Sequence, residues 1–202
     1  MKFPEIKRYL SQFRVGIAGA GGLGSNCAIA LARTGTGTLV LCDHDIVDIS
    51  NLNRQYYFRG QIGMAKTEAL RDNIAQIYPE VNVICHNIMI TRSDIPVIFS
   101  GCDVIVEAFD SKEMKEMLIE TVQQKMPGIP LVVGSGLAGW GRSEALRYRK
   151  IDETLYVCGD ESTEVSDDMP PLAPRVAMVA GMQANTVIDI LMNRIQRGIG
   201  NL

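Results

Sequence analysis

The chain has no closely spaced cysteine pair, no surplus of basic residues and no apolar run long enough to cross a bilayer. Its five cysteines stand apart at Cys27, Cys42, Cys85, Cys102 and Cys158, and none forms a C-x-x-C pair. A structural zinc site of the usual spacing is therefore absent, and no zinc is expected. An odd cysteine count fits a reducing compartment better than a disulfide-stapled secreted domain. Histidine is scarce, with only His44 and His86. Lys and Arg number 20 against 23 Asp and Glu, a net charge of -3, so there is no electrostatic case for duplex nucleic acid or an anionic membrane. The opening MKFPEIKRYL has no apolar stretch of the kind that directs export, and no segment approaches a bilayer span. These absences predict a soluble cytoplasmic protein. The 202 residues, 47% of them hydrophobic, are read as one domain over 1–202 with a substantial core.

What is present is alternation. VGIAGA (15–20), TLVLCD (38–43), VNVICHN (81–87), DVIVEAF (103–109) and PLVVGSG (130–136) read as buried strands. Helical patterns fall between them: 25–35, which Gly35 can end, 64–78, stopped before Pro79, and the segment around 112–125. The predicted fold class is α/β, a Rossmann-like and mostly parallel sheet with flanking helices. SEALRYRKI and ETLYVCG are short alternating runs, read as antiparallel strands near the C-terminal part. DESTEVSDDMPPLAP (160–174) is acidic and proline-rich without an obvious element. The last pattern, PRVAMVAGMQANTVIDILMNRI, reads as a helix with Pro174 in its first turn. Its small residues Ala177, Ala180, Gly181 and Ala184 would allow close packing on the sheet. Trp140 and Met182 read as core. No internal repeat and no inter-domain linker is evident.

Gly19, Gly21 and Gly24 form G-x-G-x-x-G between a predicted strand and a predicted helix, the context in which that spacing has meaning. The first glycine permits a tight turn, the second lets backbone approach a phosphate, and the third lets helix and strand pack closely. The helix N-terminus then offers unpaired N–H groups and a positive dipole end to an anion. Asp43 follows the second strand, where its carboxylate can accept hydrogen bonds from ribose hydroxyls. Taken alone, this loop suits NAD or FAD as well as ATP.

Asn51, Arg54, Gln55 and Lys66 come next. A dinucleotide leaves the pyrophosphate towards a ring and needs no further cations, whereas a triphosphate needs its terminal charge held. An arginine fork and a lysine point charge suit that task. Asn51 and Gln55 would add neutral donors or fix the loop. The opposing reading is two solvated surface cations. Asp110, after VIVEAF, stands where a carboxylate could bind magnesium or cap the following helix.

In this order, GAGGLGS, LCDHDIVDISNLNRQYYF, GMAKTEAL and VIVEAFDS resemble the ThiF/MoeB/HesA family, bacterial relatives of ubiquitin-activating enzymes. The resemblance runs from about Arg14 to the terminal helix. The compact length and the segments GSGLAGWG, LYVCGD and LAPRV are most similar to the short ThiF-type proteins linked to thiamine biosynthesis. It implies binding of magnesium-ATP, a homodimer, and a ThiS-like ubiquitin-fold sulfur-carrier protein as partner. The carrier's C-terminal glycine carboxylate would be adenylylated with release of pyrophosphate. By the family pattern Gly19, Gly21, Gly22 and Gly24 lie beneath the nucleotide and Asp43 holds the ribose. Arg54 and Lys66 neutralise the departing phosphates with Asn51 and Gln55 alongside, and Asp110 binds magnesium. A molybdopterin-type carrier is the alternative within the family. A NAD-dependent Rossmann oxidoreductase is the alternative outside it, although His44 and His86 offer no convincing catalytic pair.

The chain also departs from the pattern of that family. Many relatives carry a longer leading segment with an R-Y-x-R-Q motif whose arginine reaches across the dimer. Here KFPEIKRYLSQFR precedes the first strand, and Arg8 is the nearest stand-in. Cys158 is expected to be packed and inert rather than a covalent link to the carrier. The stretch 160–173 is open to two readings, a flexible acidic connector or a cover that orders over the carrier tail.

Overall fold

The structure, a computed structural model, describes residues 1–196; the end of the expected domain, 197–202, lies outside the described residues. Seven strands form one sheet: β1 (Arg14–Ala18), β2 (Thr38–Cys42), β3 (Asn82–His86), β4 (Val104–Glu107), β5 (Leu131–Gly134), β6 (Arg147–Lys150) and β7 (Leu155–Gly159). Their order is β3-β2-β1-β4-β5-β7-β6. Every neighbouring pair is parallel except β6 and β7. The expected antiparallel pair is therefore present, but β7 also continues the parallel sheet beside β5. The turn joining β6 to β7 is held by Asp152, whose Oδ1 accepts from the amides of Thr154 (2.6 Å) and Leu155 (2.7 Å).

The inner strands β1, β2, β4 and β5 are mostly apolar because helices cover both faces, whereas the edge strand β6, RYRK, is exposed along its length. Val15, Ile17, Leu39, Leu41, Val104 and Val106 point into the larger core with α2 (Gly22–Thr34), α3 (Lys66–Ile77) and α6 (Ala173–Gln196). The alternate residues Ala18, Val40, Cys42, Ile105 and Val133 face the smaller core with α4 (Ile95–Ile98) and α5 (Lys112–Lys125). Gly35 ends α2 in the left-handed region, at φ 89°, as its sequence position predicts. A short α1 (Phe3–Leu10), not anticipated, buries Tyr9 and Leu10 against the larger core.

Two expectations about packing are corrected. Ala180 and Ala184 are buried, but Ala177 and Gly181 are exposed. The buried stripe of α6 runs through Val176, Val179, Ala180, Gln183, Ala184, Val187 and Leu191 at helical spacing, which leaves the other two outside its edge. Trp140 is 67% exposed, standing on a turn between Gly139 (φ 77°) and Gly141 (φ 62°) rather than in the core. Met182 is half-buried against the larger core. Among the described residues no helix is long and apolar enough to cross a membrane.

Candidate functional site

Chain connections leave β1 and β4 in opposite directions, so a crevice opens outside their carboxyl ends, where open α/β sheets bind ligands. The glycine turn lies there. Gly19 takes φ 99°, and its amide donates to the Cys42 carbonyl at 2.8 Å. A Cβ on Gly19 would sit 2.7 Å from the Ala108 carbonyl oxygen, and one on Gly24 would overlap the Gly19 carbonyl. Both positions are closed by the chain itself. Gly21 differs: the nearest atom to a Cβ there is the Gln55 Nε2, at 3.9 Å. Gly21 is also the N-cap of α2, with no side chain capping the helix, so the first-turn N–H groups depend on other acceptors.

Asp43 lies where expected, half-buried at the end of β2. Its Oδ2 accepts from the Ala20 amide (2.6 Å) and its Oδ1 from the Asp45 amide (2.8 Å), fixing the carboxylate against the glycine turn. Each oxygen keeps a lone pair for a hydroxyl donor. Lys66 opens α3, and its side chain is 7% exposed; its Nζ lies 2.6 Å from Asp45 Oδ2, whose side chain is 49% exposed. The Lys66 amide also donates to the Asp45 carbonyl at 2.9 Å. Asp45 thus links the candidate ribose acid to the candidate phosphate lysine. Sequence reasoning passed over it, although the alternation D-H-D was there to read. Asp43, His44 and Asp45 bring one ligand atom each within 4.8 Å of one another.

The loop carrying Arg54 is tied to the glycine turn. Ser25 Oγ donates to the Gly21 carbonyl (2.6 Å) and accepts from the Tyr56 amide (3.0 Å). Asn26 Nδ2 donates to the carbonyls of Gly22 (2.7 Å) and Arg54 (2.9 Å). The Arg54 stem passes over Gly22, with Cγ 3.8 Å from where a Cβ would be. Its Nη1 reaches only neutral oxygens, Asn53 Oδ1 at 2.8 Å and the Ser50 carbonyl at 3.3 Å. Arg54 is half-buried, with its stem against the glycine turn and its Nη1 bonds on the exposed side of the loop. Gln55 is buried beside Gly21, and its Oε1 has no hydrogen-bond partner. Asn51 does something narrower: its Oδ1 accepts from the Asp48 amide at 3.0 Å, shaping the loop.

Asp110 is exposed beyond β4, next to the glycine turn. It does not cap α5, because Ser111 does so, accepting from the Met114 amide at 3.3 Å. Among the described residues the Asp110 carboxylate has no hydrogen bond or ion pair. One unpaired carboxylate beyond the end of β4 has the chemistry magnesium accepts, since that ion takes one or two carboxylates together with phosphate oxygens. Behind it, fully buried Glu107 pairs with Lys115. Burial raises the Glu107 carboxyl above its ordinary range, and Lys115 opposes that shift. This pair was also missed; its signal was an acid inside the apolar run VIVEAF.

Asp160 and Arg175 form an ion pair with side-chain exposures of 2% and 4%. Burial raises the Asp160 carboxyl, but amides of Ser162 and Thr163, the Thr163 hydroxyl and Arg175 outweigh it and hold the group well below the usual range. Arg175 Nη1 also donates to the Gly141 carbonyl. The acidic segment between them, although irregular, is therefore pinned at both ends, and the Gly139 amide donates to the Pro170 carbonyl at 2.9 Å in its last third. Cys158 is fully buried, and desolvation pushes its thiol up, as a packed cysteine requires. Arg8 is exposed on α1.

Strand order and glycine turn define a Rossmann-like domain. The chain belongs to the ThiF family, whose model matches residues 4–201. It is 30% identical over 191 residues to the adenylyltransferase and sulfurtransferase MOCS3 of Caenorhabditis briggsae, covering 91% of this chain and 47% of that protein. To the tRNA threonylcarbamoyladenosine dehydratase of Escherichia coli K12 it is 38% identical over 162 residues, 79% of this chain and 55% of that one. The chain thus spans about half the length of these curated relatives. The crystal structure of the E. coli dehydratase in complex with ATP superposes with a TM-score of 0.86 at 23% identity, over 96% of this chain and 91% of the other, a likeness of fold.

Proposed function

We propose that this protein is an ATP-dependent adenylyltransferase acting as one domain over 1–202. Its acceptor would be the C-terminal glycine carboxylate of a ThiS-like ubiquitin-fold sulfur carrier, for thiazole formation in thiamine biosynthesis. The observation that carries the reading is the open face of Gly21. It is bordered by the Gln55 amide, the Arg54 stem passes over the next residue, Gly22, and Asp43, bonded to the Ala20 amide, leads through Asp45 to Lys66. A dinucleotide enzyme has no use for the two cations. The name of the C. briggsae relative, an adenylyltransferase and sulfurtransferase, supports the same chemistry.

In this reading Asp43 orients the ribose, and the α2 N-terminus and glycine turn take the phosphates. The carrier carboxylate is ionised at neutral pH, so no general base is required. Its oxygen bonds to the α-phosphorus while the bond to the bridging oxygen breaks, and pyrophosphate leaves with the electron pair. Arg54 and Lys66 take up the charge on the leaving group. Bound magnesium, held by Asp110 and phosphate oxygens, would add charge neutralisation. Catalysis is then positioning and electrostatics. A homodimer is part of the proposal.

A second reading follows from the 38% identity to the tRNA dehydratase: the activated carboxylate could belong to a tRNA nucleoside. The net charge of -3 weighs against a polynucleotide substrate. ATP–pyrophosphate exchange separates the cases. We expect exchange only when a ThiS-like carrier is added. Exchange with a molybdopterin-type carrier instead would move the pathway, exchange with tRNA would favour the second reading, and none with any acceptor would refute adenylyl transfer.

A further inference from the structure

The Glu107–Lys115 pair lies at the carboxyl ends of β4 and β5, one turn of chain behind Asp110. Glu107 Oε2 pairs with Lys115 Nζ, and Oε1 turns back to accept from the Phe109 amide at 2.8 Å. Lys115 Nζ also donates to the Gly134 carbonyl, the last of β5, at 2.8 Å. From α6, Gln183 Nε2 donates to the Glu107 carbonyl (2.8 Å) and more weakly to that of Val132 (3.3 Å). Four elements therefore meet around Glu107, α5 through its carboxylate and α6 through its main-chain carbonyl.

Stability does not account for this arrangement. Replacing a buried ion pair with apolar groups of similar volume is often neutral or stabilising, because desolvation rivals the attraction. Glu107 is fully buried, and its carboxyl is raised by that burial even with Lys115 beside it. What the pair fixes is geometry. Phe109 and Ser111 flank Asp110, and each is held by its own hydrogen bond, Phe109 by Glu107 and Ser111 by the start of α5. The Asp110 carboxylate makes no bond of its own, so its place depends on those two anchors.

We propose that Glu107 and Lys115 are positioning residues, a buried clamp that spans β4 and β5 and sets the Asp110 loop for a magnesium-bound nucleotide. The inference rests on the adenylyltransferase reading. Groups behind a metal ligand commonly change metal affinity by about 10–100-fold when removed. The test compares wild type, the apolar double variant Glu107→Leu/Lys115→Met, which removes the acceptor of the Phe109 amide, and Lys115→Arg. Thermal unfolding should place the double variant close to wild type. Hydrogen exchange of the peptide spanning 107–111 should speed up, and the magnesium concentration for half-maximal pyrophosphate exchange should rise about tenfold or more. Lys115→Arg, which keeps the charge pair, should leave both close to wild type. Wild-type amide protection and magnesium dependence in the double variant would overturn the clamp. A wild-type protein without carrier-dependent exchange would instead refute adenylyl transfer, and the amide arm would still decide whether the pair holds the loop.

Discussion

The glycine turn allows the demands of the fold to be separated from those of the ligand. At Gly24 a methyl group would overlap the Gly19 carbonyl oxygen and lie 2.9 Å from its carbon and 3.2 Å from Ile17 Cγ2. The first two obstacles are backbone, so α2 must lift from the turn. Overpacking costs about 1–3 kcal/mol in general, and with rigid neighbours we take the upper end, ~3 kcal/mol. For a chain of this size each kcal/mol moves the melting temperature by roughly 2–4 °C, so Gly24→Ala should melt on the order of 10 °C lower. At Gly21 the nearest atom is 3.9 Å away, and φ is -76°, which alanine accepts. Its ψ of -147° lies about 30° beyond the extended basin, a mild penalty that the entropic gain of about 0.4–1 kcal/mol from Gly→Ala offsets. Gly21→Ala should therefore melt within a few degrees of wild type. Its methyl group would nevertheless fill the space through which a phosphate approaches backbone, and a tenfold or greater loss of ATP affinity, about 1.4 kcal/mol, is expected. Thermal unfolding and calorimetric ATP titration on the two variants make the comparison. Unaltered ATP affinity in Gly21→Ala would remove the phosphate from this turn, and an unchanged melt for Gly24→Ala would refute the steric reasoning.

Asp110→Ala should abolish magnesium-dependent exchange without lowering the melting temperature; retained activity removes Asp110 from the site. Lys66→Met should lose ATP affinity by about 10–100-fold, the worth of a charge-assisted hydrogen bond, while the stability change stays under about 1 kcal/mol because Asp45 is half-exposed. Equal losses in both would make Lys66 merely structural. Asp160→Asn should cost about 3–5 kcal/mol at pH 7 by leaving Arg175 buried without a counter-charge. Since the folded Asp160 carboxyl lies below its unfolded value near 3.9, its contribution is present above that pH and is lost as pH falls through the folded value. The deficit of the variant should therefore shrink in acid, and a pH-independent deficit in the denaturation midpoint would refute the assignment.

Most of the scaffold was legible because local pattern and tertiary demand agree. β1, β2, β4 and β5 lie inside the sheet and read as mostly apolar runs, β3 shows its pattern although it is a half-buried edge, and Gly35, Pro79 and Pro174 punctuate the helices where they fall. The failures have physical causes. The four residues of α4 are too few to show a period. The parallel union of β7 with β5 is a long-range pairing that no local pattern encodes. Trp140 was placed by composition, but its turn projects it into solvent. The site divides in the same way. Gly19, Gly24 and Asp43 follow from chain geometry near a strand end, so spacing reveals them. Asp45, Glu107 and Lys115 matter through their neighbours, and Gln183 reaches Glu107 from 76 positions away.

The ion pairs show where the protein can change and where it cannot. Asp160 and Arg175 are both almost wholly buried, so separating them strands two charges in a poorly solvated place. Lys66 is equally buried, but Asp45 is 49% exposed, and water can take over that carboxylate when the ammonium turns elsewhere. With the Asp45 side of the pair open to water, screening keeps the pairing to about 0–1 kcal/mol. Asp45 can thus hold Lys66 at the crevice mouth in a preset rotamer and release it to a phosphate at small cost. Arg54, whose guanidinium is held by Asn53 and Ser50 without an acid, has still less to give up. A triphosphate entering this crevice would meet cations already positioned, against a frame that the buried pairs keep from moving.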